Sequence, residues 1–305
     1  MQSVSNFYKN HFGAKVYKIS LDAGCTCPNR DGTLGTGGCI FCSASGSGDF
    51  TANRNKTVVE QVEEAKQLVD SKFPKKVNQE KKYIAYFQNF TNTYGDEDVL
   101  IKKFTQACNC TGIVGIAIGT RPDCLSEKML KFLNELSKRF FVQLELGFQT
   151  SNEKSAEYIR RGYKNEVYND AVSKIRGLSP LVHIVTHLIF GLPGESELDM
   201  MNSVKYVAGK TDGIKITVLY ILKNTDLLKD YEAGKFKTLE MDEYFALVKK
   251  ALQFLPESTI IHRLTGDPPK KDLVAPLWTS NKKLVINIIN GILTSPEARK
   301  GAVGE

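Results

Sequence analysis

From Ala14 onward the chain alternates short runs of β-branched and aromatic residues with amphipathic stretches, and this alternation constrains the fold more than any other feature. Each helical stretch carries the chain back across the sheet, so successive strands run parallel and the fold class is α/β. Strands are predicted at residues 14–20, 82–88, 113–119, 141–148, 182–190 and 214–221, with a further one at 259–264. Helices are predicted at 57–73, 97–107, 126–139, 165–176, 197–207 and 241–254, and 281–293 reads as a closing helix. Val58, Val62, Ala65 and Val69 mark the apolar stripe of the first helix, and Ser126 and Asn165 sit where a side chain can cap exposed amides.

With 305 residues, 42% of them hydrophobic, the chain can bury one sizeable core, so one principal domain with short terminal additions is expected. No run of about eighteen consecutive apolar residues occurs, and the opening MQSVSNFYKNHFGAK lacks the apolar core of a signal peptide. A cytoplasmic protein without a membrane segment is expected. The formal charge of +7 suits a polyanion such as RNA, because lysine and arginine neutralise phosphates and release counterions; many basic enzymes nevertheless bind no nucleic acid.

Four of the seven cysteines, Cys25, Cys27, Cys39 and Cys42, fall within eighteen residues, in a glycine-rich loop at 22–49 directly after the first strand. Reduced thiols grouped this way point to metal binding or catalysis rather than to a disulfide framework. Cys39-x-x-Cys42 together with Cys25-x-Cys27 has the ligand spacing of a structural zinc. Three thiolates around an iron–sulfur cluster would instead leave one iron open to a chelating ligand. Spacing alone does not separate the two.

The stretch Cys27-Pro-Asn-Arg-Asp-Gly32, followed by Gly37-Gly-Cys-Ile-Phe-Cys42, resembles the signature of the YhcC/YtqA-type branch of the radical S-adenosyl-L-methionine (radical SAM) superfamily. That branch is related to oxygen-independent coproporphyrinogen oxidase and to the Elongator catalytic subunit, and the resemblance runs over nearly the whole chain. It implies a partial (β/α)6 TIM-like radical SAM barrel over residues 1–265, including the cluster loop, with a C-terminal extension at 266–305 packed on the barrel. It also implies two cofactors, a 4Fe-4S cluster held by Cys27, Cys39 and Cys42, and S-adenosyl-L-methionine (AdoMet) on the open iron. Eleven residues separate the first two cysteines, a departure from the superfamily's common C-x3-C-x2-C spacing. Cys25 falls where relatives often carry another residue, which gives it a supporting or incidental role.

In such barrels the chemistry sits at the C-terminal ends of the strands. By resemblance, Phe41 packs against adenine, Gln149 and Arg161 contact AdoMet, and Gly191 lies in the turn against adenine. The polar run at 87–94 stands where the superfamily's glycine-rich motif receives the AdoMet amino group, without its glycines. Thr120-Arg-Pro-Asp123 is similar to Elongator-type relatives, and Arg121 and Asp123 read equally as a salt bridge, a helix cap or catalytic parts. Cys124, at the mouth after the third strand, is the candidate hydrogen donor to a substrate radical; Cys108 and Cys110 precede that strand and belong at the opposite end. His187 either faces the cavity or is satisfied by a neighbour, and Trp278 either stacks a base or fills the core.

The implied chemistry is one-electron reduction of the cluster by an external donor such as flavodoxin or ferredoxin, followed by cleavage of AdoMet to methionine and a 5′-deoxyadenosyl radical that abstracts a substrate hydrogen. Members of the branch look tied to tRNA wobble-uridine modification, from carboxymethylaminomethyl-uridine to aminomethyl-uridine. Contacts to tRNA would come from Arg160, Arg161, Lys164, Lys270 and Lys271. A radical enzyme acting on a small molecule, a zinc-stabilised RNA-binding protein without catalysis, and a cluster protein with a purely regulatory role are the alternatives.

Overall fold

The computed structural model describes residues 1–43, 46, 52–73 and 80–294. The first half of the chain runs β1 (Gln2–Ser3), α1 (Val4–Phe12), β2 (Val16–Leu21), α2 (Val58–Asp70), β3 (Lys82–Phe87), α3 (Glu97–Cys108), β4 (Ile113–Thr120), α4 (Glu127–Ser137) and β5 (Phe141–Gln149). It continues through α5 (Glu153–Tyr158), α6 (Asn165–Leu178), β6 (His183–Phe190), α7 (Glu197–Val207), β7 (Gly213–Val218), β8 (Ile221–Leu222), α8 (Asp226–Glu232), α9 (Met241–Leu252), β9 (Ile260–Arg263), β10 (Leu273–Ala275) and α10 (Lys282–Thr294). Eight strands form one parallel sheet in the order β1-β9-β7-β6-β5-β4-β3-β2, curled into a partial barrel.

Period-two alternation sorts each strand's side chains between two environments. In β5, Val142, Leu144, Leu146 and Phe148 are buried in the main apolar core, whereas Gln143 and Glu145 enter a buried polar network within the barrel. The helices begin where their sequences supply caps. Thr57 and Ser196 form capping boxes with Glu60 and Asp199, and the Ser126 hydroxyl accepts from the Met129 amide. Asn165 departs from expectation. It is the first residue of α6 rather than its cap; its own amide donates to Glu153 Oε1 at 2.7 Å, and its side chain joins Arg161 to the Ser151 carbonyl.

The N-terminal segment is more than a terminal addition. β1 pairs with β9, at the sheet edge far from β2, so α1 crosses the N-terminal ends of the strands. Tyr8 is buried there against Ile84, Tyr86 and Ala117, its hydroxyl donating to Gln143 Oε1 at 2.9 Å, and Phe7 stacks on His183. Ser3 caps this helix and Gly13, at φ +68°, ends it in the left-handed conformation that glycine adopts without strain.

The predicted sixth strand divides. β7 stays in the sheet, while β8 leaves it to pair antiparallel with β10. Trp278 packs against Tyr244 and Phe245 and donates from Nε1 to the Leu239 carbonyl, so it fills the core rather than presenting a stacking surface. Val285 and Ile292 of α10 join the same apolar core as the barrel helices; residues 295–305 of the expected extension lie outside the described residues.

Candidate active site

The cysteine loop closes on itself through backbone hydrogen bonds. Amides of Leu34 and Gly35 donate to the Pro28 carbonyl, and the amide of Gly38 to the Asn29 carbonyl at 2.7 Å. The residues between Cys27 and Cys39 therefore leave and return at one point, which absorbs the unusual spacing. Gly38 has φ +72°, and a Cβ there would meet Arg30 at 2.9 Å. The Asn29 amide donates to the Arg160 carbonyl at 2.7 Å and reaches Cys39 Sγ at 3.5 Å, tying the loop to the segment after α5.

Cys27, Cys39 and Cys42 line one cavity of about 370 Å³ at the C-terminal ends of the strands, together with Phe41, Gln149 and Arg161. Gly191 and Cys124 are not among the residues that line it. Gly191 has φ +83° and faces Leu239, while burial, with Asp123 alongside, pushes the Cys124 thiol up to about 12. Cys25 is buried away from the cavity wall, and burial raises its thiol to about 11. A hydrogen bond from Cys42, aided by Arg121 and Asn29, outweighs burial and brings the Cys39 thiol down to about 7, while that contact and burial push the Cys42 thiol up.

Among the described residues Gln149 is one of four non-glycine residues with positive φ, at +66°. Gly147 leaves room for its side chain, since a Cβ there would sit 2.8 Å from Gln149 Nε2. Strain of this kind persists only where surrounding structure imposes it. Arg161 is 1% exposed, and its guanidinium donates to the carbonyls of Phe148, Thr150 and Tyr163 and to Asn165 Oδ1. It is therefore not part of the exposed basic surface it was expected to join. Arg121 pairs with Asp123 through two hydrogen bonds of 2.9 and 2.7 Å. Phe90 and Thr91 bring the polar run after β3 into the wall.

The cavity floor holds a network not anticipated from the sequence. Glu145 is fully buried and receives Lys18 at 2.8 Å, Lys215 at 2.5 Å, Tyr86 at 2.6 Å, His187 at 2.9 Å and Gln143 at 2.6 Å. Burial opposes its ionisation, but Lys18 and Lys215 win and hold the carboxyl well below its usual range. Burial, reinforced by Lys215, lowers His187 to about 4, so a neutral imidazole donates its Nε2 hydrogen to the carboxylate. Burial likewise takes Lys215 down to about 7 despite Glu145. The available signal was a charge or imidazole at period-two positions facing one side of four different strands.

The sequence model described as the Radical SAM superfamily matches residues 29–207, and that described as the Radical SAM C-terminal domain matches residues 211–294. The chain belongs to the radical SAM superfamily. The uncharacterised protein YtqA of Bacillus subtilis is 42% identical over 294 residues, covering 96% of this chain and 89% of that protein. Protein YhcC of Escherichia coli K12 is 35% identical over 275 residues, covering 89% and 85%. A tRNA uridine(34) acetyltransferase of Methanocaldococcus jannaschii is 26% identical over 172 residues, 55% of this chain but 31% of that protein. In fold, this radical SAM enzyme is similar to the Elp3 of Methanocaldococcus infernus, with TM-score 0.64 at 18% identity, covering 91% of this chain and 63% of that one. Enzymes of this family bind a 4Fe-4S cluster and AdoMet. Among the described residues no helix is long and apolar enough to cross a membrane.

Proposed function

We propose that this radical SAM enzyme acts on the wobble uridine of tRNA, converting carboxymethylaminomethyl-uridine to aminomethyl-uridine, with Cys27, Cys39 and Cys42 holding the cluster. The observation that carries the site assignment is that these three thiols line one wall of a cavity at the C-terminal ends of the strands. Their chemistry fits the group: Cys39 is shifted toward the thiolate that a cluster iron takes, and Arg121 and Arg30 supply positive charge nearby.

When bound, the cluster and AdoMet supply hydrogen-abstracting radical chemistry. The protein's part is to orient and enclose. Phe41 offers an apolar face beside the cysteines, Gln149 is held by its strained backbone toward the cavity, and Arg161 braces the wall from behind through main-chain carbonyls. The tRNA reading is supported by the net charge of +7 and by the similarity to a protein named for tRNA uridine(34). A reduced flavodoxin or ferredoxin is the electron donor in this reading.

The test is anaerobic reconstitution with iron and sulfide, then AdoMet and dithionite, with 5′-deoxyadenosine and bound iron quantified. Wild type should cleave AdoMet faster with tRNA bearing carboxymethylaminomethyl-uridine present, and Cys39→Ala should lose both cluster and cleavage. Bound zinc with no cleavage in either protein overturns the enzyme assignment; cleavage indifferent to tRNA, with an unchanged wobble-nucleoside profile in a deletion strain, overturns the substrate.

A further inference from the structure

We infer that the cavity floor is a carboxylate subsite, built from Lys215 and Arg263, that receives an anionic side arm of the substrate; this rests on reading the cavity as the place where substrate meets AdoMet. The argument begins with a charge imbalance. Lys18 and Lys215 share the single carboxylate of Glu145, at 2.8 and 2.5 Å. Arg263, the last residue of β9, lines the same cavity and forms no ion pair with any described residue. The other carboxylate in the lining, Asp267, is engaged by Lys282 at 2.6 Å. Lys18, Lys215 and Arg263 thus stand around one carboxylate, Glu145, with Arg263 solvent-exposed at the cavity wall and able to reach a ligand there.

An anion is the ligand that such a recess lacks. A lysine that presents a point charge beside an arginine fork matches a carboxylate, whose two oxygens accept the guanidinium bidentately. The substrate of the proposed reaction carries such a carboxylate on a short arm. Glu145 itself is saturated by five donors and repels a second carboxylate, so it directs the incoming group toward Arg263. AdoMet carries a carboxylate too, and the experiment separates the two sources.

Arg263→Gln removes a cation with no described partner, so the fold is left intact. Protein carrying cluster and AdoMet, without reductant, is titrated with two anticodon stem-loop RNAs, one bearing 5-carboxymethylaminomethyl-uridine and the other 5-aminomethyl-uridine. Wild type should bind the carboxylate-bearing RNA roughly tenfold more tightly, the scale of one charge-assisted pair, and Arg263→Gln should bind both alike with AdoMet affinity unchanged. Equal affinity of wild type for the two RNAs overturns the subsite, as does discrimination that survives in Arg263→Gln. Weakened AdoMet binding in the variant assigns the pocket to AdoMet and overturns the substrate role. If neither RNA binds, the wobble-uridine reading fails and malonate decides: a rise in Tm in wild type but not in Arg263→Gln retains the carboxylate pocket, and an equal shift in both removes it.

Discussion

Glu195 should make this protein lose stability as pH rises through the range in which proteins are usually handled. It closes the Gly191-Leu-Pro-Gly-Glu195 turn after β6, where Oε1 accepts from Thr150 Oγ1 at 2.5 Å and the carboxyl is largely buried. Burial pushes the carboxyl up from 4.5 to about 7, hydrogen bonds from Thr150 and Ser155 compensating only in part. A carboxyl raised by folding binds its proton more tightly in the folded state than in the unfolded one. The penalty of ionisation is therefore absent below about pH 4.5, accumulates as pH rises, and is complete above about pH 7. A shift of this size corresponds to roughly 3 kcal/mol in full, of which about 2 kcal/mol accrues between about pH 5 and pH 8. Glu195→Gln keeps the shape and the Thr150 contact but does not titrate. Unfolding of wild type and variant should be followed anaerobically by calorimetry across that range, and the variant's Tm should gain several degrees on wild type from the acid to the alkaline end. Two curves that run parallel would refute the reasoning, whatever their offset.

Other outcomes follow from the network and the cavity wall. Glu145→Ala leaves Lys18 and Lys215 buried without their carboxylate and should cost about 3–5 kcal/mol, read as a fall in Tm. Tyr8→Phe deletes the hydroxyl's hydrogen bond to Gln143 and its contact with Lys18 beneath the barrel; a loss of about 1 kcal/mol is expected, with AdoMet affinity measured by calorimetry unchanged. Gly147→Ala should displace Gln149 by the 2.8 Å clash and weaken AdoMet binding several-fold, while Tm moves little.

The helical and strand periods were strong enough in the sequence to locate the six β/α units, with most observed strands ending within a residue or two of prediction, because apolar patterning and caps such as Ser126 are local properties. The cysteine loop was legible for a similar reason: its residue types and spacing are chemical and survive without coordinates. α1 was missed although Val4, Phe7, Tyr8 and Phe12 follow helical spacing, since a short helix is stabilised by what it covers, and the open end of the barrel appears only once the sheet has curled. The division of the sixth strand was likewise a tertiary outcome, fixed by β10 arriving as an antiparallel partner some fifty residues later.

Sequence by itself determined the α/β class, the order of units and the presence of a thiol-rich loop at the end of the first strand. Only the tertiary structure decided which side chains meet inside the barrel. Lys18, Glu145, His187 and Lys215 come from four strands, and nothing local relates them; curvature of the sheet brings them within hydrogen-bonding distance. It also decided that Arg161 is buried as a brace while Arg263, at the wall, has no ion-pair partner among the described residues, because the environment of a charge is a property of its neighbours and not of its own position in the chain.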